Sequence, residues 1–439
     1  MSSIGSSASR SLISGEEARA YSLQAVPPQA FGKYTLIGKL GHGGMAEVLL
    51  AVMGGKAGFR KLVVLKRIHG MLEVEPGLID MFLDEARLAA QLDHPNCVQT
   101  LEVGDVGGQH FLAMEYLDGQ GLDRLLRSSA QSGTLLPPAI AVRMIADALE
   151  GLGYAHELTG FDGQPLGVVH RDVSPQNIFV AYNGVVKLLD FGIAKASSNV
   201  VETRTGVVKG KYAYIAPEQA LGQHVDARAD VWSMGVVLWE CLTSRRLFKS
   251  VNELATLQET LQGEIKRPST YNPEIPRELD AIVMGALQRS VEHRYQTAAQ
   301  FKDALEDWLS DQPGAPGRRA IAALMKERFE EVQRLHKEKL MACLAAIEVG
   351  PSSIQKLVDA GDATFSDPSG QFSNMTPSSA RLIAPPSMTP APGVAAPMPE
   401  LPRIPTVTEA GLRPPPQVPQ EDRRRALAWK LVAVVRSCS

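Results

Sequence analysis

The chain has 439 residues, a length that suits two average domains or one large one, and a core of that size needs no disulfide or metal. Hydrophobic residues make up 44% of the sequence and charged residues 21%, as in an ordinary soluble globular protein. The formal net charge of −3 excludes a generally basic nucleic-acid-binding protein, because no polycationic face is available to phosphates.

The N-terminal segment, residues 1–33, has no charged stretch followed by an apolar core, so we predict that it is disordered and is not a signal peptide. The four cysteines are far apart and form neither a CxxC pair nor a zinc-binding spacing. This pattern favours reduced thiols in a cytoplasmic protein. The cysteines are Cys97, Cys241, Cys343 and Cys438.

The composition changes near residue 311, where a linker rich in glycine and proline begins. Residues 318–347 then carry apolar side chains at helical spacing among many charges, which predicts one amphipathic helix. Residues 310–349 therefore read as a linker and a helix. The apolar stripe has to be covered, either by the rest of this chain or by a second copy in a homodimer.

Residues 350–420 are rich in proline, serine and alanine and cannot bury enough apolar surface to fold, so we expect disorder there. Residues 421–439 form a short basic and apolar tail. Its apolar run is about half of the roughly 20 residues that a spanning helix needs. We expect a short helix, with attachment to a membrane surface as the alternative.

A glycine-rich stretch occupies residues 40–48, Leu-Gly-His-Gly-Gly-Met-Ala-Glu-Val, between two strand-like segments. Glycines at such a turn let backbone N–H groups approach a phosphate. The stretch is not a Walker loop, because no Gly-Lys-Ser/Thr follows it. Taken alone it is weak support for a nucleotide site, since most glycine-rich hairpins are simple turns.

Lys66 ends an apolar strand and so points into an interior or a cleft, where its charge needs a partner. Glu85, on the helix predicted next, is the candidate partner. Further on, Asp172 and Asn177 precede a strand, and Asp190 follows another. Amide and carboxylate oxygens at strand ends suit Mg²⁺, and Asp172 is placed to accept a proton from a hydroxyl.

Two later motifs, Ala-Pro-Glu at residues 216–218 and Asp-Val-Trp-Ser-Met-Gly at 230–235, complete an ordered series with those above. In this order and at these separations the series resembles the eukaryotic-type protein serine/threonine kinases of bacteria. The resemblance covers residues 34–309. It implies an α+β, two-lobed kinase fold, with a small and mostly β N-lobe and a larger, mostly α C-lobe, and ATP bound between them.

The resemblance also implies roles for individual residues. Val48 and Val64 would cover the adenine from above and Phe179 from below, with Met114 as gatekeeper and the backbone of Glu115 and Leu117 bonded to the base. The expected nucleotide-binding residues are Leu40, Gly41, His42, Gly43, Gly44, Met45, Ala46, Glu47, Val48, Val64, Lys66, Met114, Glu115, Leu117, Phe179 and Asp190.

For catalysis the resemblance implies Asp172 as the base and Asn177 and Asp190 as ligands of Mg²⁺, or of Mn²⁺. Lys66, paired with Glu85, would hold the α- and β-phosphates. In the C-lobe, Glu218 would pair with Arg294, and Asp230 would brace the catalytic loop.

Two positions depart from the family pattern. Ser174 stands where these kinases usually carry the lysine that meets the γ-phosphate, and Lys211 stands where a threonine is usual. One interpretation is independent drift or partial loss of activity. We favour a swap, in which the Lys211 ammonium supplies the missing charge from another loop.

Pro175 is typical of the serine/threonine class of catalytic loop. Arg171, directly before Asp172, is typical of kinases whose activation loop is ordered by phosphorylation, because a phosphate would pair with this cation. Thr203 and Thr205 are the expected phosphorylation sites. The expected partners are protein substrates, and the alternative function is a catalytically inactive kinase-like scaffold that recruits partners through its C-terminal helix and tail.

Overall fold

The computed structural model describes residues 23–42, 46–55, 60–68, 76–191 and 211–361. At positions 42, 76–78, 81, 211 and 348–361 it describes the backbone but not the side chain. The tail expected over residues 421–439, with its membrane alternative, lies outside the described residues.

The N-lobe is built on a six-stranded antiparallel sheet with the order β1-β2-β3-β4-β6-β5. In β4, Val63 and Leu65 alternate with more exposed neighbours and are fully buried, which is the pattern of a strand with one face in a core. The strands are β1 Gln24–Phe31, β2 Tyr34–His42, β3 Ala46–Gly54, β4 Arg60–Ile68, β5 Thr100–Val106 and β6 Gln109–Glu115.

The prediction that residues 1–33 are disordered was wrong for the end of that segment, where Gln24–Phe31 form strand β1. Two prolines, Pro27 and Pro28, concealed the strand, because proline cannot donate to a sheet ladder. The structure accommodates both where the pairing register with β2 shifts, between Ala25 and Gln29. β1 is also an edge strand, where a missing N–H is tolerated.

One helix of the N-lobe, α1 (Pro76–Ala89), lies between β4 and β5 in the chain. Phe82 and Ala86 face inward and join the cluster that holds Leu112 and Met114 of β6. Glu85, beside them on the helix, is thereby carried towards the cleft.

The C-lobe is mainly helical. Its central helix, α5, is buried over almost its whole length, and Asp226 caps it by accepting a hydrogen bond from the N–H of Arg228. The helices are α2 Leu122–Ser132, α3 Pro138–His156, α4 Pro217–Ala220, α5 Ala227–Thr243, α6 Glu253–Gln262, α7 Arg277–Ala286 and α8 Ala298–Ser310, with 3₁₀ turns at Lys211–Tyr214, Pro268–Thr270 and Val291–His293.

A small three-stranded sheet forms the floor of the cleft between the lobes. Its strands are β7 (Gly119–Gly121), β8 (Ile178–Ala181) and β9 (Val186–Leu188), in that order. The chain enters β8 from Asn177 and leaves β9 towards Asp190. The sheet therefore sets the positions of both side chains, and the predicted two-lobed α+β fold is confirmed.

The helix expected over residues 318–347 is present as α9, but it runs from Arg318 to Gly361. The expectation of disorder from residue 350 was therefore wrong for its first twelve residues. Beyond Pro351, Ile354, Leu357 and Val358 recur at helical spacing, and Gly361 is a typical residue to end a helix. In the described part of the chain no helix is both long and apolar enough to cross a membrane.

Candidate active site

Lys66 is the best-defined charged group of the cleft. Its Nζ donates to Oε1 of Glu85 at 2.8 Å and to Oδ1 of Asp190 at 2.9 Å. Burial disfavours the Lys66 ammonium, but the carboxylates of Asp190 and Glu85 outweigh burial and raise the pKa of Lys66 above its usual value. The lysine therefore stays charged, and it ties the N-lobe to the segment after β9.

Lys66 lies in the wall of a cavity of about 440 Å³ between the lobes. Val64 and Met114 contribute apolar surface from the N-lobe, and Phe179 contributes an aromatic ring from β8. A cavity that combines apolar walls with cationic side chains is suited to a flat base joined to phosphates. Of the predicted nucleotide-binding residues, the cavity wall contains Leu40, Gly41, Val48, Val64, Lys66, Met114, Glu115, Leu117, Phe179 and Asp190.

At the hinge, the N–H of Glu115 donates to the carbonyl of Gln99 at 3.0 Å. Its carboxylate accepts hydrogen bonds from the N–H of Gln99 and from Nζ of Lys187. The carbonyl of Glu115 is thus the group of this residue suited to meet a base.

The glycine-rich loop is only partly described, because Gly43, Gly44, Met45 and the side chain of His42 lie outside the described residues. Glu47 and Ala46, predicted as nucleotide-binding residues, are not part of the cavity wall within the described residues. Arg67 holds the Glu47 carboxylate, with Nε at 2.9 Å from Oε1. The Glu47 carboxylate is thus held by Arg67 and is not offered as a ligand for phosphates, which would repel a carboxylate.

The catalytic loop keeps Asp172 and Asn177 together. Nδ2 of Asn177 donates to the backbone carbonyl of Asp172 at 2.8 Å and to its Oδ2 at 3.1 Å. These two bonds use the amide nitrogen of Asn177, so its oxygen remains the atom suited to a metal ion.

Asp230, at the start of α5, supports this loop from below. The backbone N–H groups of His170 and Arg171 donate to its two carboxylate oxygens at 2.7 and 2.8 Å, and His156 contacts it at 2.8 Å. Arg171 has a φ of 60°, which is unusual for a residue other than glycine. The bonds to Asp230 hold that strained backbone, as the sequence predicted.

A divalent metal ion fits the donor set of the site. Asn177 and Asp190 offer amide and carboxylate oxygens, the ligands that Mg²⁺ prefers. Among the residues that the structure describes, no group of three histidine, cysteine or acidic side chains could hold a metal ion by itself. Phosphate and water oxygens would therefore have to complete the coordination.

Ser174, the first departure from the family pattern, is buried. Lys211 begins the 3₁₀ turn Lys211–Tyr214, but its side chain lies outside the described residues, as do Thr203 and Thr205.

The predicted pair in the C-lobe is present. Arg294 donates to both carboxylate oxygens of Glu218, at 2.8 and 3.0 Å, and both side chains are buried. This bidentate ion pair anchors α4, at the end of the activation segment, to the body of the C-lobe.

Several lining residues of the cavity were missed by the sequence analysis. Leu189 directly precedes Asp190, and this adjacency in the sequence could have indicated that Leu189 lines the cavity. Leu23 comes from the segment expected to be disordered, and His336 comes from α9, outside the domain that the motifs define. No local signal connects His336 with a cavity more than 100 residues earlier in the chain.

Comparison with known proteins identifies the family. The sequence profile of the protein kinase domain matches residues 34–309. The chain belongs to the protein kinase family. A solved structure of the PknI kinase domain of Mycobacterium tuberculosis aligns with a TM-score of 0.49 at 24% identity, over 64% of this chain and 98% of that one.

Among curated relatives, the tyrosine-protein kinase MasK of Myxococcus xanthus is 46% identical over 327 residues, which are 74% of this chain and 51% of MasK. The serine/threonine-protein kinase PknB of Mycobacterium tuberculosis is 35% identical over 298 residues, 66% of this chain and 45% of PknB. This chain thus spans about half the length of these relatives, and their names differ in the acceptor hydroxyl.

Proposed function

We propose that this protein transfers the γ-phosphoryl group of ATP to serine or threonine hydroxyls of protein substrates. The observation that carries the proposal is Lys66, which bridges Glu85 and Asp190 in the wall of a cavity with apolar faces. Such a bridge holds one cation where phosphates would lie and aligns both lobes around it.

Each remaining role rests on one contact. Asp172, fixed by Asn177, would accept the proton of the attacking hydroxyl. Asn177 and Asp190 would hold Mg²⁺, or Mn²⁺. When bound, the metal ion would neutralise charge on the phosphates. Lys66 would orient the α- and β-phosphates.

The acceptor class follows from the catalytic loop. Pro175, next to Ser174, supports a serine/threonine kinase, and the name of PknB agrees with it. The name of MasK gives tyrosine as the competing acceptor. Phosphoamino-acid analysis of labelled substrate separates the two, and label found on tyrosine alone would contradict the proposal.

We also propose that Lys211 supplies the charge that Ser174 lacks. Substitutions at both positions test this swap. Lys211→Ala should lower turnover strongly, and adding Ser174→Lys to that variant should restore it. Independent drift of the two positions predicts no restoration.

Activation would follow phosphorylation of Thr203, Thr205 or both, with Arg171 as the cation that receives the phosphate. Peptide mass spectrometry of protein incubated with ATP tests this step. Activity in protein that carries no phosphate at residues 197–208 would contradict it.

The activity itself is tested with radiolabelled ATP, Mg²⁺ or Mn²⁺, and a general protein substrate. The wild type should label the substrate, Asp172→Asn should not, and Asp303→Asn, which alters an exposed carboxylate in the C-lobe, should behave like the wild type. Equal labelling by wild type and Asp172→Asn would favour the inactive scaffold instead.

Two further proposals concern the protein as a whole. We place it in the cytoplasm, because ATP is available there and because Cys97, Cys241 and Cys343 are free thiols. Cell fractionation tests this placement.

For the oligomeric state, the apolar side chains at 321–332 that were candidates for a homodimer contact pack against this chain's own C-lobe, which favours a monomer. The mass in solution would decide.

A further inference from the structure

Helix α9 crosses from one lobe to the other. Ile321, Met325 and Phe329 are buried in the C-lobe core. About four turns after Phe329, Cys343 is buried against Leu23 and strands of the N-lobe sheet. The helix between these two ends therefore has to pass the hinge that connects the lobes.

At the hinge the helix makes two polar contacts. Nε2 of His336 and the hydroxyl of Tyr116 are 2.7 Å apart, and the two rings are nearly parallel with an interplanar angle of 8°. One turn earlier, Nε2 of Gln333 donates to Oδ2 of Asp118 at 3.4 Å. Tyr116, Leu117 and Asp118 all line the cavity, so α9 is fastened to a segment of the cavity wall.

His336 also lies in the wall of the cavity that contains Lys66. The protein kinase domain, as the family profile delimits it, ends at residue 309. The structure thus adds to the cavity a side chain that comes from beyond the domain, and the hydrogen bond to Tyr116 fixes the orientation of its ring.

The chemistry of His336 indicates which part of a nucleotide it suits. Burial lowers its pKa, so the imidazole is neutral at neutral pH. Burial raises the pKa of Tyr116, so the phenol keeps its proton beside Nε2. The neutral imidazole carries one N–H and one accepting nitrogen, whichever of the two rings donates in this hydrogen bond. A flat, uncharged ring with one donor suits a nucleoside better than a phosphate.

We propose that His336 is a nucleotide-binding residue that helix α9 supplies from outside the kinase domain, and that its ring contacts the nucleoside part of the ligand. The proposal rests on the proposed function, because it takes the adenine nucleotide as the ligand of this cavity.

The test is calorimetric titration of the full chain with adenosine, ADP and ATP. His336→Ala should weaken all three by a similar factor, on the order of fivefold, as expected for one lost side-chain contact. Tyr116→Phe keeps both rings but removes their hydrogen bond and should weaken binding less. Met341→Ala, an exposed position on the same helix, should bind like the wild type.

Steady-state kinetics separate binding from a general disturbance of the hinge. His336→Ala should raise the KM for ATP and leave kcat nearly unchanged, whereas a distorted hinge would lower kcat as well. Unchanged affinity, tighter binding, or a loss confined to ADP and ATP would each overturn the proposal. Failure of the wild type to bind any of the three ligands would overturn the proposed function with it, and that outcome is seen before any variant is measured.

Discussion

Burial of the Lys66 ammonium is unfavourable in free energy, yet the site requires this charge. The ammonium is removed from water, and two carboxylates from different elements compensate for the loss. The same arrangement leaves the N-lobe and the Asp190 segment joined through a single side chain. The role of Lys66 is therefore to supply charge at the site and not to pack in the core.

Lys66→Ala should abolish phosphoryl transfer and leave the fold intact. The substitution removes the cation that would orient the phosphates, while Val63 and Leu65 continue to form the core of β4. Turnover with labelled ATP and a circular dichroism spectrum measure the two effects. Lys61→Ala, on an exposed position of the same strand, is the control, and turnover at the wild-type level in the Lys66 variant would refute the role.

Glu240 is a second buried ionisable group with a consequence that can be measured. Its carboxylate accepts hydrogen bonds from the hydroxyl of Tyr214 at 2.9 Å and the N–H of Leu247 at 3.2 Å, with Arg246 at 3.5 Å. Burial raises the pKa of Glu240 to about 8 from an ordinary value of 4.5. Between these values the folded chain binds more protons than the unfolded chain, so this group's contribution to stability falls as the pH rises.

We therefore predict that the stability of the wild type relative to Glu240→Gln declines between pH 5 and pH 8 and levels off above. An amide does not ionise, so the variant lacks this pH dependence. Urea unfolding at a series of pH values measures the difference. Glu330→Gln, at an exposed position, should show no such trend, and a constant difference for Glu240→Gln from pH 5 to 9 would contradict the prediction.

At the scale of elements, α9 is held at its start by a close approach to the turn between β8 and β9. Gly184 has a φ of 83°, and a side chain there would meet the backbone of Arg318. Nε of Arg318 donates to the carbonyl of Asn183 at 3.0 Å. From this anchor the apolar stripe of the helix enters the C-lobe core.

Phe329→Ala should lower the free energy of unfolding by about 3–5 kcal/mol, because it removes a buried aromatic ring and leaves a cavity between α9 and the C-lobe. Denaturant unfolding measures the loss. Glu330→Ala, the exposed neighbour, should change stability by less than about 0.5 kcal/mol. Similar values for the two variants would mean that the helix is not docked in solution.

At the scale of the whole molecule, α9 is a brace that contacts both lobes, in addition to the hinge and the Lys66 bridge. Its N-lobe contact is apolar, with Cys343 against Leu23, Ile37 and Leu50. At its C-lobe end more of its side chains are buried, Ile321, Met325 and Phe329 among them. The two ends should therefore differ in how easily they come apart.

Cys343→Glu should release the N-lobe end alone, since a carboxylate placed among these apolar side chains costs several kcal/mol unless the helix moves away. Hydrogen exchange should then rise at residues 340–347 and stay slow at 321–332. Met341→Glu, on the exposed side, is the control. Faster exchange over the whole helix would show instead that both ends dock as one unit.

The sequence by itself determined the family, the two-lobed fold and ten of the 24 described residues that line the cavity. Lys66, Asp172, Asn177 and Asp190 could be predicted because the motifs that contain them resemble those of a known family in order and separation. Asn177 and Asp190 also lie next to short apolar strands that the sequence pattern reveals. The pairs Lys66–Glu85 and Glu218–Arg294 followed from the same motifs and were found in the structure.

Only the tertiary structure decided the rest. Strand β1 owes its place to an edge that tolerates prolines, and Glu47 turns to Arg67 because of the pairing between β3 and β4. His336 reaches the cavity because α9 docks on both lobes. The apolar stripe of a helix predicts that the helix is covered, but it does not predict which surface covers it. Local pattern fixes which residues form an element, whereas long-range packing selects its neighbours.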